Sequence, residues 1–263
     1  MRARRIVAAL VAVGVTVTAC GDRDAPAAET TGASAGSVEV STGPTSGSPA
    51  ATAPTVTAPA PGAYVAGTDR RAGTRGPVTF DVGVPTLSGG STAVTEKFNA
   101  SMRASLDDHL RVPEQTPGTM TVEDGRLADG RRSGVTRLGP GVVAGVLLTN
   151  GYISGGAHPT NVIGTVVIAT GTARPVLLTD LFTAPDTGLS RLAELVKQRA
   201  QEAGTSVFVS EPERDLANWI PTDEGLTVFA GVTHAEGDYR GFTVPWAELK
   251  DVIAPAMWPV LTA

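Results

Sequence analysis

The chain has 263 residues, 41% of them hydrophobic and 5% aromatic, with a formal net charge of −5. That length suffices for one sizeable domain or two small ones. No basic cluster follows the first five residues, and aromatics are few, so neither a phosphate-neutralising patch nor a base-stacking platform is present and no nucleic-acid partner is expected.

Residues 1–20 read as a targeting segment. MRARR (1–5) is basic, and IVAALVAVGVTVTA (6–19) is an uncharged apolar run, shorter than the roughly 20 residues of a membrane span. It ends in VTAC (17–20), which resembles the bacterial lipoprotein box and so implies a lipid on Cys20, the single cysteine. The alternative is an ordinary secretory signal with an incidental cysteine. The expected partner is then the membrane, reached through the lipid. The expected place is outside the cell, on the outer face of the cytoplasmic membrane. With Cys20 so used, neither a disulfide nor a cysteine zinc site is available.

Residues 21–73 are rich in Ala, Thr, Ser, Pro and Gly, as in TAPTVTAPAPGA (52–63). Too few large apolar side chains are present to offset the entropy of ordering, so a disordered tether is expected. A flexible chain of that length spans roughly 40 Å. GASAG (32–36) matches the G-x-S-x-G pattern, but no strand precedes it and no helix follows, so Ser34 is not taken as a nucleophile.

A single domain is expected over 74–263. PVTFDVGVP (77–85) alternates enough for a strand, closed by Pro85 and the Gly89–Gly90 pair. Val94, Phe98, Met102, Leu106 and Leu110 recur every four residues. That spacing predicts a helix started by Ser91 or Thr92 and stopped before Pro113. A turn-rich stretch with RLADGRRSG (126–134) follows. Residues 141–153 and 162–169 are long β-branched runs that bracket a Gly-Gly-Ala-His-Pro-Thr segment. After the turn TGTARP (170–175), VLLTDLF (176–182) reads as a short strand. Leu189, Leu192, Val196 and Ala200 mark a second helix, with Gly204 just past its end. LTVFAGV (226–232), the loop HAEGDYRG (234–241) and FTVPWAELKDVIAP (242–255) complete the chain as strands and a short helix. The order favours α+β, with a mostly antiparallel sheet, two main helices and a short C-terminal helix.

Three segments carry a family resemblance: YISGGAHPTN (152–161), LTDLF after a Thr-Gly turn (170–182), and GLTVF…GFTVPWAEL (225–249). Together they resemble the domain-of-unknown-function family that forms the outer part of the lysozyme-sensing anti-sigma factor. The same domain type lies beside the catalytic domain of some peptidoglycan deacetylases. The match is closer to the secreted mycobacterial immunogenic proteins of that superfamily. The resemblance implies an α+β fold outside the cytoplasm and no shared reaction. Neither an anti-sigma region nor a deacetylase domain is expected within these 263 residues. The resemblance also places the chain reversal at Gly155–Thr160, leaving Asn150–Gly151, otherwise a good two-residue hairpin signal, as a bulge or bend in the strand through Tyr152.

The expected ligand-binding loop is therefore Tyr152, Gly155, Gly156, His158, Thr160 and Asn161. His158 has three roles open to it. It locks the turn through its backbone neighbours; it contacts a ligand from an exposed loop; or it acts as a general base. The last needs a nucleophile and an orienting acid, for which Ser154 and Asp180 are the candidates, and defines the alternative function, a cell-envelope esterase or amidase. A metal site at His158 would need further ligands, and His234, Glu236 and Asp238 are within one loop. That loop is more simply a solvated connection, so no metal and no cofactor are expected. His109, after Asp107–Asp108, reads as a structural cation near a helix end. The two aspartates point about 100° apart and form no acid–base pair. Asn99–Ala100–Ser101 is discounted as a glycosylation site because it falls on a helix. Trp246 and Trp258 read as core, and Trp219 as the most exposed of the three. The favoured function is a lipid-anchored, non-catalytic binding domain for a protein or cell-wall ligand, working as a monomer.

Overall fold

The structure is a computed structural model that describes residues 64–112 and 118–263. Cys20, the targeting segment, GASAG and the tether up to residue 63 lie outside the described residues.

The first described element already departs from expectation. Strand β1 (Tyr64–Arg75) pairs antiparallel with β2 (Val78–Gly89) over its full length, across a turn at Gly76–Pro77. Residues 64–73 were expected in the tether and are instead an edge strand. Strand β2 also runs past Pro85. Its other neighbour, β3 (Met120–Asp124), pairs with it in parallel only over Val78–Asp81. A missing N–H at Pro85 therefore breaks no central ladder.

Helix α1 (Thr92–His109) starts after Ser91 as expected. The turn-rich stretch hides two strands, β3 and β4 (Gly134–Leu138). Both pair with opposite ends of β5 (Val142–Ile153), whose far side pairs with β6 (Thr160–Ala169). The β5–β6 ladder runs unbroken through Asn150↔Asn161 and Gly151↔Thr160, so of the expected bulge or bend at Asn150–Gly151 the bulge is absent. The two-residue strand β7 (Arg174–Pro175) ends this sheet, whose order is β1-β2-β3-β5-β6-β7 with β4 beside β5. The segment expected as a strand up to Phe182 turns instead into a 3-10 helix, Leu178–Leu181. Its buried residues, Leu178 and Leu181, are three apart, which suits that helix and not a strand.

Helix α2 (Pro185–Glu202) ends with Gly204 at φ 69°, as expected. The short helix α3 (Pro212–Asp215) leads into a second, three-stranded antiparallel sheet of β8 (Trp219–Pro221), β9 (Gly225–Gly231) and β10 (Tyr239–Pro245). Two four-residue helices follow, α4 (Trp246–Leu249) and α5 (Trp258–Leu261). Among the described strands only β2–β3 is parallel, so the fold is α+β and mostly antiparallel.

The large sheet is covered on both faces. On one, Phe98, Met102 and Leu106 of α1 pack with Val143, Leu147, Val166 and Ile168. On the other, Val142, Ala144, Val146 and Leu148 join α2 and the small sheet. Strand β5 thus buries both alternating sets, which is why it reads as one continuous apolar run. Trp219 is 2% exposed, which corrects its expected exposure: β8 lies against β6, where Thr165 Oγ1 accepts its backbone N–H at 3.1 Å. Trp246 is partly buried, donates its indole N–H to Thr222 O at 3.0 Å, and meets Trp258 edge-on. His109 is also corrected. It is 8% exposed and hydrogen-bonds Thr149 Oγ1 through Nδ1 at 2.9 Å. Burial pushes its imidazole down to about 4, against the Asp108 charge and a hydrogen bond to the Ile163 backbone. It is a neutral core group at pH 7, not a cation.

Gly225 opens β9 where β10 crosses most closely. A Cβ there would lie 2.1 Å from Val244 O and 2.9 Å from Pro245 Cα. Backbone cannot step aside as a side chain can, so Gly225→Ala is expected to destabilise the chain by roughly 2–3 kcal/mol, read from the urea midpoint. A cost below about 0.5 kcal/mol would mean the two strands are further apart.

Candidate functional site

The β5–β6 ladder projects its reversal at Ser154–Pro159. Gly156 N–H donates to Ile153 O at 2.8 Å and Ser154 N–H to Thr119 O at 2.8 Å. Gly155 takes φ 83°, a conformation that favours glycine. Gly156 does not, but a Cβ there would sit 2.9 Å from Ile153 O. Ser154, Gly155, Gly156, His158 and Thr160 are exposed. Tyr152, 39% exposed, donates its hydroxyl to Gly156 O at 3.3 Å.

Asn161 behaves differently from the rest of the expected loop: it is buried. Its backbone N–H donates to Asp238 Oδ2 at 2.8 Å and its Nδ2 to Gly237 O at 3.2 Å. Its Oδ1 accepts from Asn150 Nδ2 at 3.2 Å. The turn is thereby clamped to the β9–β10 loop, which contains a 3-10 helix at His234–Glu236. Asp238, at φ 71°, also accepts from His234 Nδ1 at 2.8 Å. Glu236 accepts from the hydroxyls of Thr205 and Thr233, and these hold its carboxyl below the usual range. Burial, then the charge of Asp238, pushes the Tyr239 phenol up.

The clamp brings the two loop histidines together. The His158 and His234 rings stack with centroids 3.5 Å apart and 13° between planes. His158 Nδ1 faces Pro159 O at 3.1 Å, the expected bond to neighbouring backbone. The sequence offers His234, Glu236 and Asp238 as possible companions of His158 but reads 234–241 more simply as a solvated connection; nothing in local periodicity brings the two rings into contact.

The three residues named for catalysis are not assembled. Among the described residues, the one hydrogen bond of the His158 ring is to Pro159 O, not to Ser154. Asp180 caps the 3-10 helix, accepting from Leu177 N–H at 2.9 Å, and the next residue is bonded to Ala254. That segment begins beside Val167, and the Thr160–Val167 run of β6 is roughly 20 Å long.

Elsewhere an open groove of about 550 Å³ lies between α2 and α4, lined by Asp186, Glu194, Glu248 and Asp251 with Arg191. Among the described residues no helix is long and apolar enough to cross a membrane, and no group of three or more His, Cys, Asp or Glu is placed to hold a metal.

No family model and no curated protein matches the chain. Among solved structures it is similar to a member of the DUF3298 family from Bacteroides fragilis, with TM-score 0.54 at 10% identity, covering 79% of this chain and 98% of that one. A DUF3298 family protein from Pseudomonas aeruginosa aligns with TM-score 0.48 at 12% identity, covering 73% of this chain and 93% of that one. At 10% identity the first likeness is one of fold: the chain has a fold seen in that domain of unknown function.

Proposed function

We propose that this chain is a lipid-anchored, extracytoplasmic binding domain, non-catalytic, that recognises a protein or cell-wall ligand with its β5–β6 turn. The observation that carries the proposal is the clamp at Asn161. It fixes an exposed turn to a second loop without burying Tyr152 or His158. A contact surface held in advance loses less entropy on binding. The VTAC sequence at Cys20 supports the anchor, and the resemblance to the anti-sigma outer domain supports recognition over turnover. A hydrolase would need the Ser154, His158 and Asp180 side chains to converge, and no geometry favours that.

The test titrates the full chain in detergent with soluble peptidoglycan fragments and with a lysozyme. Binding of one of them is expected. A Tyr152→Ala, His158→Ala chain is expected to bind at least tenfold more weakly, as loss of an exposed aromatic anchor costs 1–2 kcal/mol. His158 has one backbone hydrogen bond and one stacking partner, so its removal leaves the fold intact. Unchanged affinity in the double variant would move recognition away from this turn.

A further inference from the structure

We propose that His158 and His234 form a two-histidine site for a late first-row divalent ion, zinc, nickel or copper(II). Two observations converge on it. The rings stand face to face at 3.5 Å although they come from separate loops. Each ring's Nδ1 is engaged with an oxygen acceptor, Pro159 O at 3.1 Å for His158 and Asp238 Oδ1 at 2.8 Å for His234. Those bonds place the proton on Nδ1, and among the described residues no hydrogen bond occupies the Nε2 of either ring. A histidine that donates one ring N–H to a carboxylate or carbonyl is oriented, and made more basic, as a metal ligand through the other nitrogen.

Asp238 extends the arrangement. It accepts from Asn161 N–H with its second oxygen, so the carboxylate that orients His234 is itself fixed. Glu236 is already engaged by two threonine hydroxyls. The chain thus supplies two imidazoles and leaves the remaining positions to water. Imidazole pairs suit the late divalent ions and not calcium or magnesium, which take oxygen.

The lone pairs lie in the ring planes, which are within 13° of parallel. An ion shared by both therefore needs the rings to open like a hinge. His158 sits on an exposed turn with one backbone hydrogen bond on its ring, so it is the ring that swings, while His234 stays with Asp238.

The site goes beyond the binding role proposed above, which a metal-free turn would satisfy equally; an ion titration and a ligand titration can fail separately. The test uses the full lipidated chain in detergent, untagged, in which the lipid on Cys20 leaves no thiol to compete. Calorimetric titration with zinc chloride is expected to give one ion per chain. His158→Ala and His234→Ala are each expected to weaken binding at least tenfold. In nitrogen-15 histidine spectra, zinc is expected to move both Nε2 signals together. Absence of saturable zinc binding overturns the proposal, and so does binding that survives His158→Ala with both Nε2 signals unmoved. If His234→Ala disturbs the loop, the exposed His158 variant decides.

Discussion

Acidification from pH 7.5 to pH 5 is expected to cost the fold about 2 kcal/mol through His109 alone. The group is pushed to about 4 when folded, against about 6.5 in an unfolded chain. Between those values the unfolded state binds the proton and the folded state does not, so stability rises with pH there. The contribution is fully present above pH 6.5 and is lost as pH falls toward 4. Carboxylates held low, such as Glu236 and Asp215, add their losses mainly below pH 5, so the two effects separate. Urea midpoints at pH 7.5, 6 and 5 measure it. A His109→Gln chain, which keeps an acceptor and a donor near Thr149 and Ile163 but does not titrate, is expected to flatten the slope. An equally steep slope in that variant would place the titrating group elsewhere.

Phe98→Ala is expected to remove more, about 3–5 kcal/mol. Phe98 is fully buried, and the space over Gly145 is filled from α1: a Cβ on that glycine would meet Phe98 Cζ at 2.8 Å and Met102 Cε at 2.7 Å. The helix is seated on β5 through this contact, so truncation leaves a cavity that the sheet cannot close. For a body of this size the loss lowers Tm by about 10 °C. A loss below about 1 kcal/mol would mean that α1 is seated on the sheet by other residues.

These residues differ in how far the sequence announced them. Phe98 lies on the four-residue stripe of α1, and a stripe is what a helix against a sheet requires. Strand β5 was equally plain because both faces are covered. Strand β1 was silent. Only Tyr64 in it is buried, so it carries no alternation, and its pairing is made of backbone, which every residue has. Strand β3 buries Val122 alone and is hidden for the same reason. His109 follows two aspartates at a helix end, a pattern indistinguishable from a surface cation until the helix is laid across β5 and β6.

The candidate site divides along the same line. The glycine pair before His158 marked a reversal, because few other residues serve there. Its companion loop was legible as a set of side chains, His234, Glu236 and Asp238, but not as a neighbour. The partners of Asp238 are one ring four residues back and one backbone N–H on another sheet, and sequence separation conceals the second.

The backbone ladder of strand β1 has one neighbour, β2, and its opening rung, Tyr64 opposite Gly89, is reinforced by the tyrosine ring lying over Gly90. Any traction arriving from the N-terminal side and running across the ladder loads that rung first. The rungs then part in succession, held again where Arg70 pairs with Asp81 and Asp124 and, at the far end, where Arg75 meets Asp107 of α1 at 2.8 Å. Peeling stops at the Gly76–Pro77 corner. The chain thus carries a length of twelve residues that parts from its sheet before β5 is loaded, beginning with the withdrawal of Tyr64 from the core under α1.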